Sequence, residues 1–185
     1  MKSHFSYLRI IAGSTNFSIL LCSVLVLTGC EPQSPSQDSH DTEPHIVAST
    51  AIEAGRYLVV VGGCNDCHTA GYLQTEGQIP EENWLSGTDL GWRGPWGTTY
   101  PSNLRLRVQE MTEDAWVETL RTRKALPPMP WMNVNKMSEQ DARAVYQYIK
   151  SLGPAGESVP APVPPGEEPT TPYLSLEPQN MPSSE

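Results

Sequence analysis

Phenylalanine occurs only twice in the 185 residues, and the apolar fraction is 38 %. That is thin for one compact body of this length, so part of the chain is expected to stay outside any core. Excess positive charge is missing: 12 Lys plus Arg face 21 Asp plus Glu, for a net charge of −9. With no basic stripe to displace counterions from phosphate, a nucleic-acid partner is not expected. Four cysteines are too few for a scaffold built on disulfides. Beyond residue 29 no run is long and apolar enough to cross a bilayer. Histidine is scarce as well, and His68 alone falls between residues 46 and 185. One imidazole, with no second nucleophile or metal cluster, gives little support to a catalytic reading.

What is present begins with a leader. Lys2 and Arg9 are the only charges before residue 31, and an apolar run over residues 10–27 ends in Leu27-Thr28-Gly29-Cys30. A positive start, an apolar middle and a small-residue end make an export signal. The ending resembles the lipobox of bacterial lipoproteins, which implies that Cys30 is lipidated and becomes the first mature residue. The alternative, a membrane-spanning anchor, fits less well with small residues before Cys30 and a polar stretch after it. Residues 1–29, with His4 and Cys22, are then discarded, and the mature charge becomes −11. Glu31 rather than aspartate follows Cys30, which in enteric-type bacteria resembles outer-membrane sorting. The expected location is the cell envelope, lipid-anchored and facing the periplasm, an oxidising compartment.

The acidity sits at the two ends of the mature chain. Residues 30–48 hold four acids, three prolines and no base, and read as a flexible tether. Residues 154–185 hold nine prolines, five acids and no base, and read as a disordered, extended tail. Residues 49–153 carry a charge of only −2 and form the expected domain.

Three helices are expected there. Thr50 and Glu53 make a capping box for residues 51–61, although Tyr57-Leu58-Val59-Val60-Val61 has strand propensity. Thr112 caps a helix over about 113–125, with Glu113 and Asp114 at its positive end and Arg121, Arg123 and Lys124 at its negative end. Ser138 caps the third, whose Ala142, Val145, Tyr146, Ile149 and Leu152 share one face. Gly153 and Pro154 stop it. Met111 with Trp116 and Met137 with Ala142 form hydrophobic staples. Residues 70–103 show no strand alternation and read as a long ordered loop.

The sharpest signal is Cys64-Asn65-Asp66-Cys67-His68. Two thiols three residues apart can add to the two vinyl groups of a haem, and the adjacent histidine then places a ring nitrogen on iron. A zinc site would need two further ligands at matching spacing, and a thioredoxin-like pair would need a βαβ setting. A plain disulfide is the remaining alternative. One covalent haem c is therefore expected on Cys64, Cys67 and His68. With no second histidine in the domain, methionine is the expected sixth ligand. Met111 and Met137 have staple roles. Met129, bracketed by Pro128 and Pro130, is favoured over Met132 because a pre-set loop meets iron with less ordering cost.

These residues resemble a single-haem c-type cytochrome domain, similar to bacterial cytochromes and cytochrome subunits that serve periplasmic dehydrogenases. Matching stretches are Gly55-Arg56-Tyr57, Cys64 to His68, Gly94-Pro95-Trp96-Gly97-Thr98-Thr99-Tyr100, Ser102-Asn103-Leu104, Met111-Thr112-Glu113 with Trp116, Pro127-Pro128-Met129-Pro130-Trp131, and Met137-Ser138. The resemblance covers roughly residues 50–153. It implies an all-α fold with crossing first and last helices around one haem, a helical 57–61 run, and Met129 as distal ligand. It also gives Gly55 the task of letting the last helix approach, at Tyr146 or Tyr148. Many relatives carry two or three haem domains, whereas this chain has one Cys-x-x-Cys-His. Trp92, Arg93, Trp96 and Asn103 are candidate donors to the haem propionates, with Arg93 and Trp96 foremost. The alternative is that the tryptophans cover haem area and the arginine is solvated. Arg105, Arg107, Arg121 and Arg123 read as a solvated face rather than a docking patch.

The expected function is electron transfer between envelope redox partners by a carrier that is not itself an enzyme, acting alone or as a subunit of a periplasmic dehydrogenase. The competing readings are a haem-based sensing module or peroxidase-like enzyme with an open sixth site, and an assembly lipoprotein with a structural disulfide.

Overall fold

The computed structural model describes residues 48–180. The signal, Cys30 and nearly all of the acidic tether lie outside the described residues, as do residues 181–185. Six helices and a small sheet follow in the order α1 (Ala51–Val61), α2 (Cys64–His68), β1 (Gly91–Gly94), β2 (Gly97–Thr99), α3 (Leu104–Arg107), α4 (Glu113–Thr122), α5 (Trp131–Val134), α6 (Glu139–Ser151) and β3 (Tyr173–Ser175).

The three long helices start where their caps place them. The side chains of Thr50, Thr112 and Ser138 accept from the amides of Glu53, Ala115 and Asp141, at 3.2, 3.2 and 3.1 Å. Each satisfies an amide that the helix itself leaves free. Glu53 reaches one residue further back than a capping box requires, to the amide of Ser49 at 2.9 Å. Its side-chain and backbone hydrogen bonds to Ser49 hold its carboxyl below the usual range. The strand-prone run 57–61 is helical, ending at Gly62. α4 stops at Thr122, earlier than the expected 125, because Arg123 turns to extended backbone.

α6 is the spine of the domain. Of its expected stripe, Ala142, Val145, Tyr146 and Ile149 are buried and Leu152 is half-buried, and Ala144 and Tyr148 are buried as well. The larger buried arc arises because both α1 and α4 pack on it. Against α1, a Cβ added at Gly55 would overlap the Ala144 carbonyl oxygen and lie 2.7 Å from Tyr148 Cβ. The close approach is thus at Tyr148 of the two tyrosines expected. Against α4, Trp116 donates its indole N–H to Ala142 O at 3.1 Å. Val59, Trp84, Leu85, Val108, Val117 and Leu120 complete the buried cluster, with Met111 and Met137 packed on its margin. Each such buried side chain contributes about 1.5–3 kcal/mol.

Two expectations are corrected. The domain is mostly helical but not all-α, because the stretch expected to be loop folds into a hairpin. β1 pairs antiparallel with β2 in the register Trp92↔Thr99, Arg93↔Thr98, Gly94↔Gly97. Strands of four and three residues are too short to show alternation, and Gly97 takes the positive φ of +94° that a tight turn needs. The second correction concerns residues 154–180. Most of their side chains are exposed, as the composition implies, but they run along the domain as a strap. β3 adds to the sheet in parallel with β1, giving the order β2-β1-β3. Prolines donate no amide hydrogen, yet their carbonyls still accept. Gly91 N donates to Pro172 O at 2.8 Å on this basis.

Candidate functional site

Both cysteines and the histidine of the motif lie on α2, a single helical turn that the sequence reading did not assign. A turn and a half of helix is too short to leave an apolar period. α2 follows α1 through Gly62 and Gly63, so the motif sits directly beneath the first helix. Cys64 and Cys67 are not joined to each other in a disulfide, and Cys64 packs on the margin of the core. Burial pushes the Cys64 thiol up to about 11 and raises Cys67 as well, with Asp66 adding to both.

His68 is 7 % exposed. Its Nδ1 lies 2.7 Å from the Ser102 carbonyl oxygen, in the segment that continues from β2. A carbonyl can only accept, so Nδ1 carries the proton and Nε2 is left with its lone pair. Burial lowers the imidazole's affinity for a second proton, against the smaller opposing effect of Ser102. This is the arrangement that orients a metal-binding histidine through its second nitrogen. The peptide after His68 is held too: Gly87 N donates to His68 O at 2.8 Å. Thr69 Oγ1 links Asn65 Oδ1 (2.7 Å) to the amide of Leu85 (2.8 Å).

The four methionines separate by exposure and location. Met111 and Met137 pack on the core, as their staple roles require. Met132, on α5, is 76 % exposed. Met129 is half-buried in the proline-bracketed loop before α5. That loop is tied to the hairpin by Thr99 Oγ1, which donates to Pro127 O at 2.7 Å. The segment 97–103 therefore touches both α2, through Ser102, and the Met129 loop, through Thr99.

The proposed propionate donors divide. Trp96, at the hairpin turn, has its indole N–H buried with no hydrogen-bond partner among the described residues. A Cβ at Gly94 would lie 2.5 Å from the same ring, so the indole lies flat on that glycine. Trp131 likewise buries an unpartnered indole N–H. In the sequence Trp131 stands only within a matched stretch, with no role of its own. Its signal was an aromatic donor two residues after Met129. Arg93 is committed elsewhere: its guanidinium donates to Glu167 O (2.8 Å) and the Glu168 carboxylate (2.7 Å), and stacks 5.3 Å over Tyr173. Asn103 accepts from Leu106 N and donates to Ala155 O and Glu157 O, so it too is used by helix and strap. Trp92 is half-buried on β1. Arg105 is not part of a solvated face. It is 3 % exposed and donates to the carbonyls of Glu82, Trp84, Leu152 and Gly153. The strap and Arg105 are hidden from the sequence because their partners lie 21 to 83 residues away in the chain.

The donor set fits a covalent haem. Two thiols and an oriented imidazole share one turn of helix. Two buried indole donors without acceptors, Trp96 at the hairpin turn and Trp131 at the start of α5, offer what carboxylates brought by a ligand would require. No curated protein and no solved structure matches the chain. Residues 52–153 match the family described as Cytochrome c, which spans more than half of the chain. The matched region begins one residue into α1 and ends two residues past α6, so it takes in α2, the hairpin and the Met129 loop but not the strap. The chain thus belongs to the cytochrome c family, carrying covalent haem c and transferring electrons through it.

Proposed function

We propose that the protein is a membrane-tethered carrier of single electrons, with one haem ligated by His68 and Met129. Cys64 and Cys67 hold the haem covalently, and the iron supplies the one-electron chemistry. The chain's own residues do the rest. Ser102 O fixes the tautomer and direction of His68, which is the observation that carries the reading. Thr99 ties the Met129 loop to the segment that holds Ser102. Trp96 and Trp131 offer their indole N–H groups to the propionates. The first and last helices cross behind this site, with Gly55 permitting the contact. Partners are redox proteins of the envelope, a periplasmic dehydrogenase among them. Cys30 bears the lipid, on the outer membrane in preference to the inner.

Thioether sulfur stabilises reduced iron, and a filled sixth position excludes small ligands. Oxidised protein is expected to show the weak long-wavelength sulfur-to-iron band, and reduced protein to resist carbon monoxide. Met129→Ala abolishes the band, admits carbon monoxide and lowers the potential. Met132→Leu leaves all three unchanged, since it swaps one exposed apolar group for another. Loss of the band in Met132→Leu instead would exchange the two residues. A wild-type protein without the band that binds carbon monoxide at once would sink the carrier reading in favour of a sensor or peroxidase-like enzyme. Mass analysis of the mature N-terminus tests Cys30: lipid on that residue is expected, and an unmodified terminus refutes the anchor.

A further inference from the structure

We propose that the C-terminal strap, residues 155–171, is a positioning device that holds both iron ligands in place through the segment 97–103. The inference rests on the His68/Met129 reading above.

The segment 97–103 has two sets of partners. One set belongs to the ligands: Ser102 O accepts from His68, and Thr99 Oγ1 donates to Pro127 O, two residues before Met129. The other set belongs to the strap. Thr98 and Val163 exchange both backbone hydrogen bonds, at 2.8 and 2.9 Å. Tyr100 shares a hydrogen bond with Thr171 Oγ1 at 2.8 Å, and Asn103 donates to Ala155 O at 2.8 Å and Glu157 O at 3.1 Å. Gly97 meets the strap backbone so closely that a Cβ would overlap Val163 O and lie 2.8 Å from Pro164 C. Along 98–103, strap contacts and ligand contacts interleave residue by residue. A displacement of this short segment must move Ser102 and Thr99 together.

The strap lies outside the region that matches the family, which ends at residue 153. It is therefore an addition of this chain to the shared site. Its prolines suit the task. They restrict the backbone before it docks, so less entropy is lost on ordering. Their carbonyls remain as acceptors along its length.

The mechanism is restraint. A methionine held against haem iron would be released when its loop opens locally, and local opening is set by the contacts that tie the loop down. The strap raises the cost of that opening without touching either ligand. Its residues are positioning residues, acting through 97–103.

The test uses full-length holoprotein. Val163→Pro removes the amide that bonds Thr98 O, and Thr171→Val removes the partner of Tyr100. Each lost hydrogen bond is worth a few-fold to about tenfold in the opening equilibrium. The double variant is expected to bind carbon monoxide at least about tenfold faster than wild type. It should also lose the sulfur-to-iron band at lower pH, with its helical circular dichroism kept. Thr171→Ser, which keeps the hydroxyl, restores wild-type behaviour at that position. Val145→Ala, a core change remote from the segment, lowers the melting temperature but leaves carbon monoxide binding and the band alone. Unchanged carbon monoxide binding and band in the double variant overturns the proposal. So does equal acceleration by Val145→Ala, which would make the effect one of global stability. If the double variant does not fold, Tyr100→Phe decides by the same two readouts. A wild-type protein with no band would refute the ligation reading itself, separately from the strap.

Discussion

An indole N–H that is buried without an acceptor costs a protein about 1–3 kcal/mol. Trp96, at the hairpin turn, and Trp131, two positions past Met129, both pose this cost. On the reading proposed above, a haem propionate would repay it. Trp96→Phe keeps the ring and deletes the donor. The propionate left without that hydrogen bond places more negative charge near iron, which favours the oxidised state. A lower reduction potential is expected, with covalent haem and the sulfur-to-iron band retained. A potential unmoved by Trp96→Phe, measured against Trp92→Phe as reference, would remove the propionate role. Arg93 illustrates why residue identity alone was not decisive here. Its charge made it as good a donor as Trp96 on paper, and only the fold shows that Glu167, Glu168 and Tyr173 already occupy it.

At the scale of elements, the contact between α1 and α6 controls where the motif helix α2 can sit, since α2 follows α1 after two glycines. Gly55 sets the spacing of that contact. A methyl group there collides with backbone, the Ala144 carbonyl, rather than with a side chain that could swing away. Overpacking of this kind costs typically 1–3 kcal/mol and here belongs at the upper end. Gly55→Ala should lower the melting temperature of the holoprotein by roughly 8 °C or more. A shift within a degree or two would mean that the helices separate without penalty. The three long helices were legible in the sequence because each has a cap and enough length for its apolar period to show. α2, α3 and α5 run four or five residues, too few to show an apolar period, and of the three only α3 has a side-chain cap, from Asn103. The hairpin was illegible for the same reason of length. β3 was illegible for a different one: Tyr173 pairs with Gly91, and no local pattern encodes a parallel partner so far away. The motif residues Cys64, Cys67 and His68 were legible because covalent attachment fixes their spacing. Trp131 was not, because an orphaned donor becomes visible only once burial is known.

For the whole molecule, the question is what the haem contributes to folding. The buried cluster joins α1, α4, α6 and the segments around Leu85 and Val108. The hairpin and the loop 126–130 add no residue to it, whereas Trp131 and Val134 of α5 pack on its margin. Hydrogen bonds to Ser102 and Pro127 connect the hairpin and the loop to each other and to α2. These two elements therefore have little of the apolar core to pack upon. A group that binds the folded chain and not the unfolded one adds its binding free energy to stability, and a covalent link keeps it at high effective concentration. Cys64→Ala and Cys67→Ala, made in cells that attach haem, should each yield little stable holoprotein. Cys64→Ala should be the more damaging, because Cys64 also packs on the core margin whereas Cys67 does not. The α1, α4 and α6 amides should keep protection from hydrogen exchange in whatever apoprotein is recovered, while residues 91–103 and 126–130 exchange freely. Uniform loss of protection would show that the helical cluster cannot stand without haem. Uniform retention would show that the hairpin and methionine loop are held by protein contacts alone.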